Sequence, residues 1–257
     1  MLQIEGLTKD FGGLTAVSQV NMSLQKGEIV GLIGPNGAGK TTFFNLVTGY
    51  IRPTRGRVTF EGRNITGKSP NKIAAMGVVR TFQGNNIFVD FTVLENMVLA
   101  CHLKPGVRFW ETFFRTSAGR RKDSLILQRS KQILEIVGLQ DMAGFVAASL
   151  AHGHKRKLGI AIALASQPKL LLLDEPLSGM NAEEVDEAVT LVRKLWQRGL
   201  TILLIEHNMR AAMSLCQRLV VLSFGKKIAE GTPDEVKTNS EVVRAYLGTG
   251  DHVTQIG

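Results

Sequence analysis

Residues 34–41 read Gly34-Pro35-Asn36-Gly37-Ala38-Gly39-Lys40-Thr41 and fit the pattern G-x-x-x-x-G-K-[ST] in every fixed position. Such a loop binds phosphate. Its glycines permit a tight turn whose backbone N–H groups converge on phosphate oxygens. Lys40 supplies a point charge for the outer phosphates, and the Thr41 hydroxyl is placed to ligate Mg²⁺. Thr42 adds a second hydroxyl toward the inner phosphates. The alternative, a glycine-rich turn with a stray lysine, does not explain the flanks. An apolar run, residues 28–33, precedes the loop, and residues 41–48 carry helix-like apolar spacing that Gly49 terminates. Strand, loop, helix is the order that phosphate binding at a helix N-terminus requires.

A second group of reactive residues follows the apolar run Leu170-Leu171-Leu172-Leu173, which ends in Asp174-Glu175. Ionised groups are costly to bury, so two carboxylates on such a strand invite a functional reading. With a phosphate loop present, Asp174 suits Mg²⁺, directly or through water, and Glu175 suits an attacking water; phosphoryl transfer needs both. A solvated strand end is the plain alternative. A third apolar strand, Leu203-Leu204-Ile205, ends in Glu206-His207. Ligands bind at the carboxyl edge of open α/β sheets, which directs His207 toward a terminal phosphate.

Elements that position these groups can be read on either side. Alternation predicts strands over 2–7 and 16–24. A hairpin arm covers 57–60, Ser69-Pro70 opens a short helix, and 77–80 form a short strand. Thr92 with Glu95 forms a capping box before a helix. A longer amphipathic helix spans 124–137. Helices are expected from Asn181, Met209 and Thr232-Pro233, with strands at 201–205, 218–222 and 227–229. Strands therefore occupy both ends of the chain and helices its middle.

The 257 residues are 44% hydrophobic, enough for a sizeable core, and carry a net charge of +9. A basic balance suits nucleotide, nucleic acid or an anionic membrane face without choosing among them. No targeting or membrane-spanning segment is visible: Glu5 and Asp10 interrupt the N-terminus, and Gln167-Pro168-Lys169 breaks the most apolar tract. Cys101 and Cys216 lie in apolar helical patterns and read as reduced core residues.

Together these motifs resemble the nucleotide-binding subunits of ATP-binding-cassette transporters. The likeness runs over residues 2–248. It implies an α/β fold: a P-loop NTPase, RecA-like core with an antiparallel β subdomain and an inserted α-helical subdomain. The expected division is a core of 1–83 and 166–248, a helical subdomain over about 84–165 and a tail at 249–257. The resemblance makes Glu175 the catalytic base and His207 the switch histidine. Gln83, in Arg80-Thr81-Phe82-Gln83, takes the place of the glutamine that contacts Mg²⁺ and the attacking water. Phe11 is a candidate to stack on adenine, with a core phenylalanine as the alternative. Ser178-Gly179-Met180-Asn181 matches the loop after the acidic motif. Leu150-Ala151-His152-Gly153-His154 stands where the family signature L-S-G-G-Q acts in trans on a second subunit's nucleotide. Expected cofactors are ATP and Mg²⁺, the latter held by Thr41, Gln83 and Asp174.

Stretches at 11–17, 77–83, 110–122, 179–181 and 244–248 resemble the branched-chain amino-acid importer branch. That likeness implies membrane-spanning permease subunits, a second cassette subunit as paralogue or second copy, a solute-binding protein in the wider complex, and a peripheral position at the cytoplasmic membrane face. Urea-type import and lipopolysaccharide export are runner-up systems. A soluble cassette acting on nucleic acid or ribosomes is the competing class. It usually has tandem cassettes or long coiled-coil inserts, and neither is present, so no direct nucleic-acid contact is expected.

Departures from the family pattern lie in the signature. Ala151 removes the serine hydroxyl, leaving backbone N–H groups and the helix dipole, with Gly153 permitting close approach. His154 replaces glutamine and, if it touches the γ-phosphate, introduces a pH dependence near neutrality. Lys155-Arg156-Lys157 follow, and the side chains of Lys155 and Lys157 read as a solvated basic face. Asn181 replaces an aspartate and is expected to cap the next helix. The stretch Trp110-Glu111-Thr112-Phe113-Phe114-Arg115, followed by Arg120-Arg121-Lys122, reads as a packed, partly solvated helix or a membrane contact.

Overall fold

The computed structural model describes residues 1–81, 87–102 and 117–247. Parallel strands β3 (Ile29–Ile33), β6 (Val78–Arg80), β7 (Leu170–Asp174) and β8 (Thr201–Ile205) form one sheet with β9 (Arg218–Ser223) and β10 (Lys226–Gly231), in the order β10-β9-β3-β8-β7-β6. Every residue of β3, β7 and β8 is buried, as expected of a parallel sheet covered on both faces. Successive residues alternate between two cores. Ile29, Leu171, Leu173, Ile202 and Leu204 face one; Val30, Leu32, Leu170, Leu172 and Leu203 face the other.

The second core lies beneath an antiparallel sheet made of β1 (Leu2–Phe11), β2 (Leu14–Leu24), β4 (Arg55–Phe60) and β5 (Arg63–Asn64), ordered β2-β1-β4-β5. Helix α1 (Lys40–Val47) is held in this core through Phe43, Phe44, Leu46 and Val47. Four apolar side chains on eight residues leave little choice of orientation, so the start of α1 is fixed in space. The short helix α2 (Pro70–Ala75) adds Ile73 to the same core.

The first core continues into helices α3 (Val93–His102), α4 (Ser117–Val137) and α5 (His152–Ala165), which pack on one another. Val93, Met97, Leu134, Val137, Leu158 and Ala161 share one cluster with the sheet residues. The helical layer and the sheet thus bury a common apolar surface. Helices α6 (Ala182–Gln197) and α7 (Met209–Leu215) cover the same sheet face; α8 (Pro233–Thr238) and α9 (Ser240–Leu247) close the chain.

Local signals set many boundaries. Thr92 and Glu95 exchange the two capping-box bonds. Asn181 with Glu184 and Thr232 with Glu235 do the same for α6 and α8. Three expectations are corrected. Strand β1 runs to Phe11, because pairing with β2 extends it beyond its own alternation. Helix α4 starts at Ser117. The expected last helix is two, with Asn239 accepting from Glu241 N–H where α9 begins. Cys101 and Cys216 are free and buried. Among the described residues, no helix is long and apolar enough to cross a membrane.

Candidate functional site: a phosphate loop facing an acidic pair

Parallel register assembles the site. β3 pairs with β8, β8 with β7 and β7 with β6, so their carboxyl ends share one edge. Asp174 lies opposite Ile205 in that register. The residues that follow, Glu175 on one loop and Glu206-His207 on the other, are therefore neighbours.

After β3 the chain makes the turn 34–39 and enters α1. Gly39 caps the helix at φ +97° and offers no side-chain hydrogen bond, and the first turn contains no acidic residue. The first N–H groups of α1 are thus left for an anion. A Cβ at residue 39 would lie 2.4 Å from the Ala16 carbonyl oxygen, and L side chains rarely adopt that φ, so glycine is required twice over. Lys40 is buried, and its Nζ donates to the carbonyls of Gly34 at 2.7 Å and Pro35 at 2.9 Å. Thr41 is exposed at the helix start and Thr42 is half-buried. Ala38 is buried, whereas Asn36 and Gly37 line the open side of the turn. This donor set fits a polyphosphate: uncapped amides, one lysine and hydroxyls, with no competing carboxylate on the loop.

Asp174 is buried, which excludes the solvated strand end. Its Oδ2 accepts from Arg80 Nη2 at 2.5 Å, and Arg80 Nη1 donates to Asn45 on α1 at 2.6 Å. Arg80 thereby ties the acidic strand to the phosphate-loop helix. The Thr81 hydroxyl accepts from the Asp174 N–H at 3.3 Å. The Asp174 carboxylate and the exposed Thr41 hydroxyl are both oxygen donors of the kind Mg²⁺ takes.

Glu175 takes a left-handed φ of +48°, an uncommon conformation for a side-chain-bearing residue and one that clusters at functional sites. Its Oε1 lies 2.6 Å from Nε2 of His207. Both groups remain reachable, with side chains 21% and 41% exposed. A carboxylate held by an imidazole can orient a water and accept its proton.

The signature segment begins α5. Ala151 is the N-cap without a side-chain hydrogen bond, and the first turn is free of acidic residues, so this helix start is also open to an anion. Leu150 is buried, anchoring the segment from below. His152 Nε2 lies 3.1 Å from the Ser178 carbonyl, and its ring packs where a Cβ on Gly179 would stand. Gly153 is buried against Glu184, whose Oε1 would be 2.7 Å from an added Cβ. Gly153 therefore permits close approach of α6 in the same chain. Asn181 caps α6 as expected, and Met180 packs against the small cluster of Leu177, Ala188 and Ala211. His154 is half-buried.

Two expectations change here. Lys157 is not part of a solvated face: its side chain is 12% exposed and pairs with Glu187. That hydrogen bond and charge hold the Glu187 carboxyl below its ordinary range. Lys155 donates to the Ala148 carbonyl at 2.8 Å. Phe11 is 46% exposed, which removes the core alternative, and Lys9 Nζ sits 4.9 Å from its ring centre. Gln83 and the stretch 110–115, with the tail from 248, lie outside the described residues. The side chains at 120–122 do so as well.

Reasoning from the sequence missed Arg80 and Glu206. Glu206 is 3% exposed and accepts three backbone N–H bonds. Its position next to His207 was the available signal.

A sequence profile of the ABC transporter family matches residues 17–178. The chain belongs to this family. It is one of the family's ATPase cassettes, and a profile described as branched-chain amino acid ATP-binding cassette transporter matches residues 226–252. The cassette is 44% identical over 249 residues to the high-affinity branched-chain amino acid transport ATP-binding protein LivG of Salmonella typhimurium, covering 96% of this chain and 98% of that one. It is 41% identical over 249 residues to BraF of Pseudomonas aeruginosa, a protein of the same description, with the same two coverages. Among solved structures it resembles the ADP conformation of MJ1267, an ATP-binding cassette of an ABC transporter. There the TM-score is 0.85 at 32% identity, covering 96% and 98% of the two chains.

Proposed function

We propose that this cassette powers uptake of branched-chain or other hydrophobic amino acids through separate permease subunits. One observation carries the reading: the branched-chain profile at 226–252 lies in the C-terminal region, away from the motifs common to all cassettes. Identities of 41–44% along nearly the whole chain support it. Lipopolysaccharide export is the second reading, supported at lower identity by a 33% match over 248 residues to the lipopolysaccharide export system ATP-binding protein LptB of Haemophilus influenzae.

In the proposed cycle, Lys40 and the α1 amides hold the ATP phosphates, and Thr41, Asp174 and Gln83 hold Mg²⁺. When bound, Mg²⁺ would supply positive charge that offsets the charge of the reacting phosphates. Glu175 accepts the proton of the attacking water, and His207 fixes the carboxylate and approaches the γ-phosphate. Leu150 to His154 of a second cassette subunit close the site, their amides replacing the missing serine hydroxyl. Ser178 to Asn181 move with that segment, since His152 and Gly153 pack on this loop and on α6. Phe11 stacks on adenine. The core of 1–83 and 166–248 and the helical part of about 84–165 act as two lobes.

Permease contact is assigned to an exposed apolar surface formed by 88–91 and 145–146. Phe88, Val89, Phe91, Phe145 and Val146 are each 43–57% exposed there, and the Phe88 and Phe91 rings stack at 5.4 Å. Scattered exposed apolar residues are ordinary, but a contiguous group marks an interface. The cassette then lies peripherally on the cytoplasmic membrane face, with a solute-binding protein completing the importer outside. The test is reconstitution with membrane-spanning subunits of a branched-chain amino-acid importer. ATP-dependent uptake of leucine, isoleucine or valine is expected; uptake of urea alone, or of none of these, contradicts the reading.

A further inference from the structure

Glu206 is a buried carboxylate that the hydrolytic scheme does not use. It ends β8 at 3% exposure, and among the described residues no lysine or arginine pairs with it. Burying an ionised group without a counter-charge is expensive unless hydrogen bonds replace its water. Three do. Oε1 accepts the Leu177 N–H at 2.9 Å; Oε2 accepts the His207 N–H at 3.1 Å and the Asn208 N–H at 3.2 Å.

These donors belong to two different loops. Leu177 is two residues beyond Glu175, in a turn that the Ser178 N–H closes on the Glu175 carbonyl at 3.3 Å. His207 and Asn208 lead into α7, where the Asn208 side chain accepts from Ala211 N–H at 3.0 Å. One oxygen is thus committed to the loop of the acidic motif and the other to the loop of the switch histidine. The backbone adds one further tie, Glu175 N–H to the Ile205 carbonyl at 3.0 Å.

We infer that Glu206 is a positioning residue for hydrolysis: its carboxylate clips the two loops together and sets the 2.6 Å separation between Glu175 and His207. It touches neither water nor phosphate and acts through that pair. The inference rests on the reading of Glu175 as base. The chemistry of the clip explains why a carboxylate is needed. A glutamine has one acceptor oxygen, and its NH₂ would face an N–H donor on one loop or the other. An alanine would leave three buried N–H groups without partners. An aspartate keeps both oxygens but falls one methylene short.

The test compares ATP turnover and binding of fluorescent ATP for the parent, Glu206→Gln, His207→Ala and the double variant, with Glu175→Gln as reference. Misplacing a catalytic pair by about 1 Å can cost ~100-fold, so Glu206→Gln should lower kcat at least ~10-fold with KM for ATP within ~3-fold. In the His207→Ala background the same change should cost less than ~3-fold, because the pair it positions is already broken. Parent-like kcat, or an undiminished loss in the His207→Ala background, overturns the inference. If Glu206→Gln does not fold, Glu206→Asp carries the same comparison, with an intermediate kcat expected and the same non-additivity. Should Glu175→Gln keep full turnover, the base assignment fails instead, and the two failures are told apart.

Discussion

Nε2 of His207 lies 2.6 Å from Oε1 of Glu175, although the two residues are 32 positions apart in the chain. Parallel pairing of β7 with β8 brings their strand ends level, and the two loops beyond them do the rest. In the proposed cycle this pair orients the attacking water. Each group needs the other for orientation. His207→Ala should therefore reduce kcat by ~100-fold or more, within the range general acid–base partners contribute, while ATP binding stays within ~3-fold. Steady-state turnover beside equilibrium binding of a fluorescent ATP checks this. A loss confined to KM would contradict it.

Arg80 and Asp174 form a buried ion pair, with side chains 7% and 10% exposed. Removing one partner of such a pair leaves an uncompensated charge. Arg80→Met should destabilise the fold by ~3–5 kcal/mol in urea unfolding. A loss under ~1 kcal/mol would mean that Asp174 is hydrated or otherwise compensated.

Gly153 packs against Glu184, the residue that completes the capping box with Asn181. An added methyl group has to displace that carboxylate. Gly153→Ala should break the Asn181 N–H bond to the Glu184 carboxylate, at a cost of under ~1 kcal/mol, while the Asn181 side chain still caps the Glu184 N–H. Turnover should fall ~10-fold or more as the signature segment shifts, because small misplacements at a reacting centre are amplified. ATP binding by the isolated chain should not change if, as proposed, the segment serves the partner's nucleotide. Weaker ATP binding in the isolated chain would place the segment in its own subunit's site.

Burial, outweighing its hydrogen bonds from Leu177, Asn208 and His207, pushes the Glu206 carboxyl above the ordinary 4.5. Between 4.5 and its folded value, the folded chain therefore binds more protons than the unfolded chain. The stability this group contributes is full below 4.5 and is lost as pH rises through the folded value. The unfolding free energy of the parent, taken relative to Glu206→Gln at each pH, should fall as pH rises from 4.5. A flat or rising difference would mean that the three amides outweigh burial. Glu187 has the opposite sign: Lys157 lowers it, so its contribution is lost only below 4.5.

Local chemistry was legible in the sequence because it is written in neighbouring residues. The phosphate loop, the Asp174-Glu175 strand end and the capping boxes at Thr92, Asn181 and Thr232 each span a few positions. Tertiary chemistry was not. Arg80 meets Asp174 across 94 positions, and Glu206 reaches Leu177 across 29. Lys157 reads as solvent-facing by type, yet it pairs with Glu187 on a helix that only the fold brings near. Strand β1 ran past its own alternation to Phe11 for the same reason: its partner, not its pattern, sets its length.

Glu175 is the group that takes a proton from the attacking water in the proposed cycle. Glu175→Gln keeps shape and hydrogen-bonding reach but cannot accept that proton. Single-turnover hydrolysis, measured beside equilibrium ATP binding, tests it directly. Binding should stay within ~3-fold of the parent and the hydrolysis rate should fall by ~100-fold or more. Hydrolysis at the parent's rate would contradict the account.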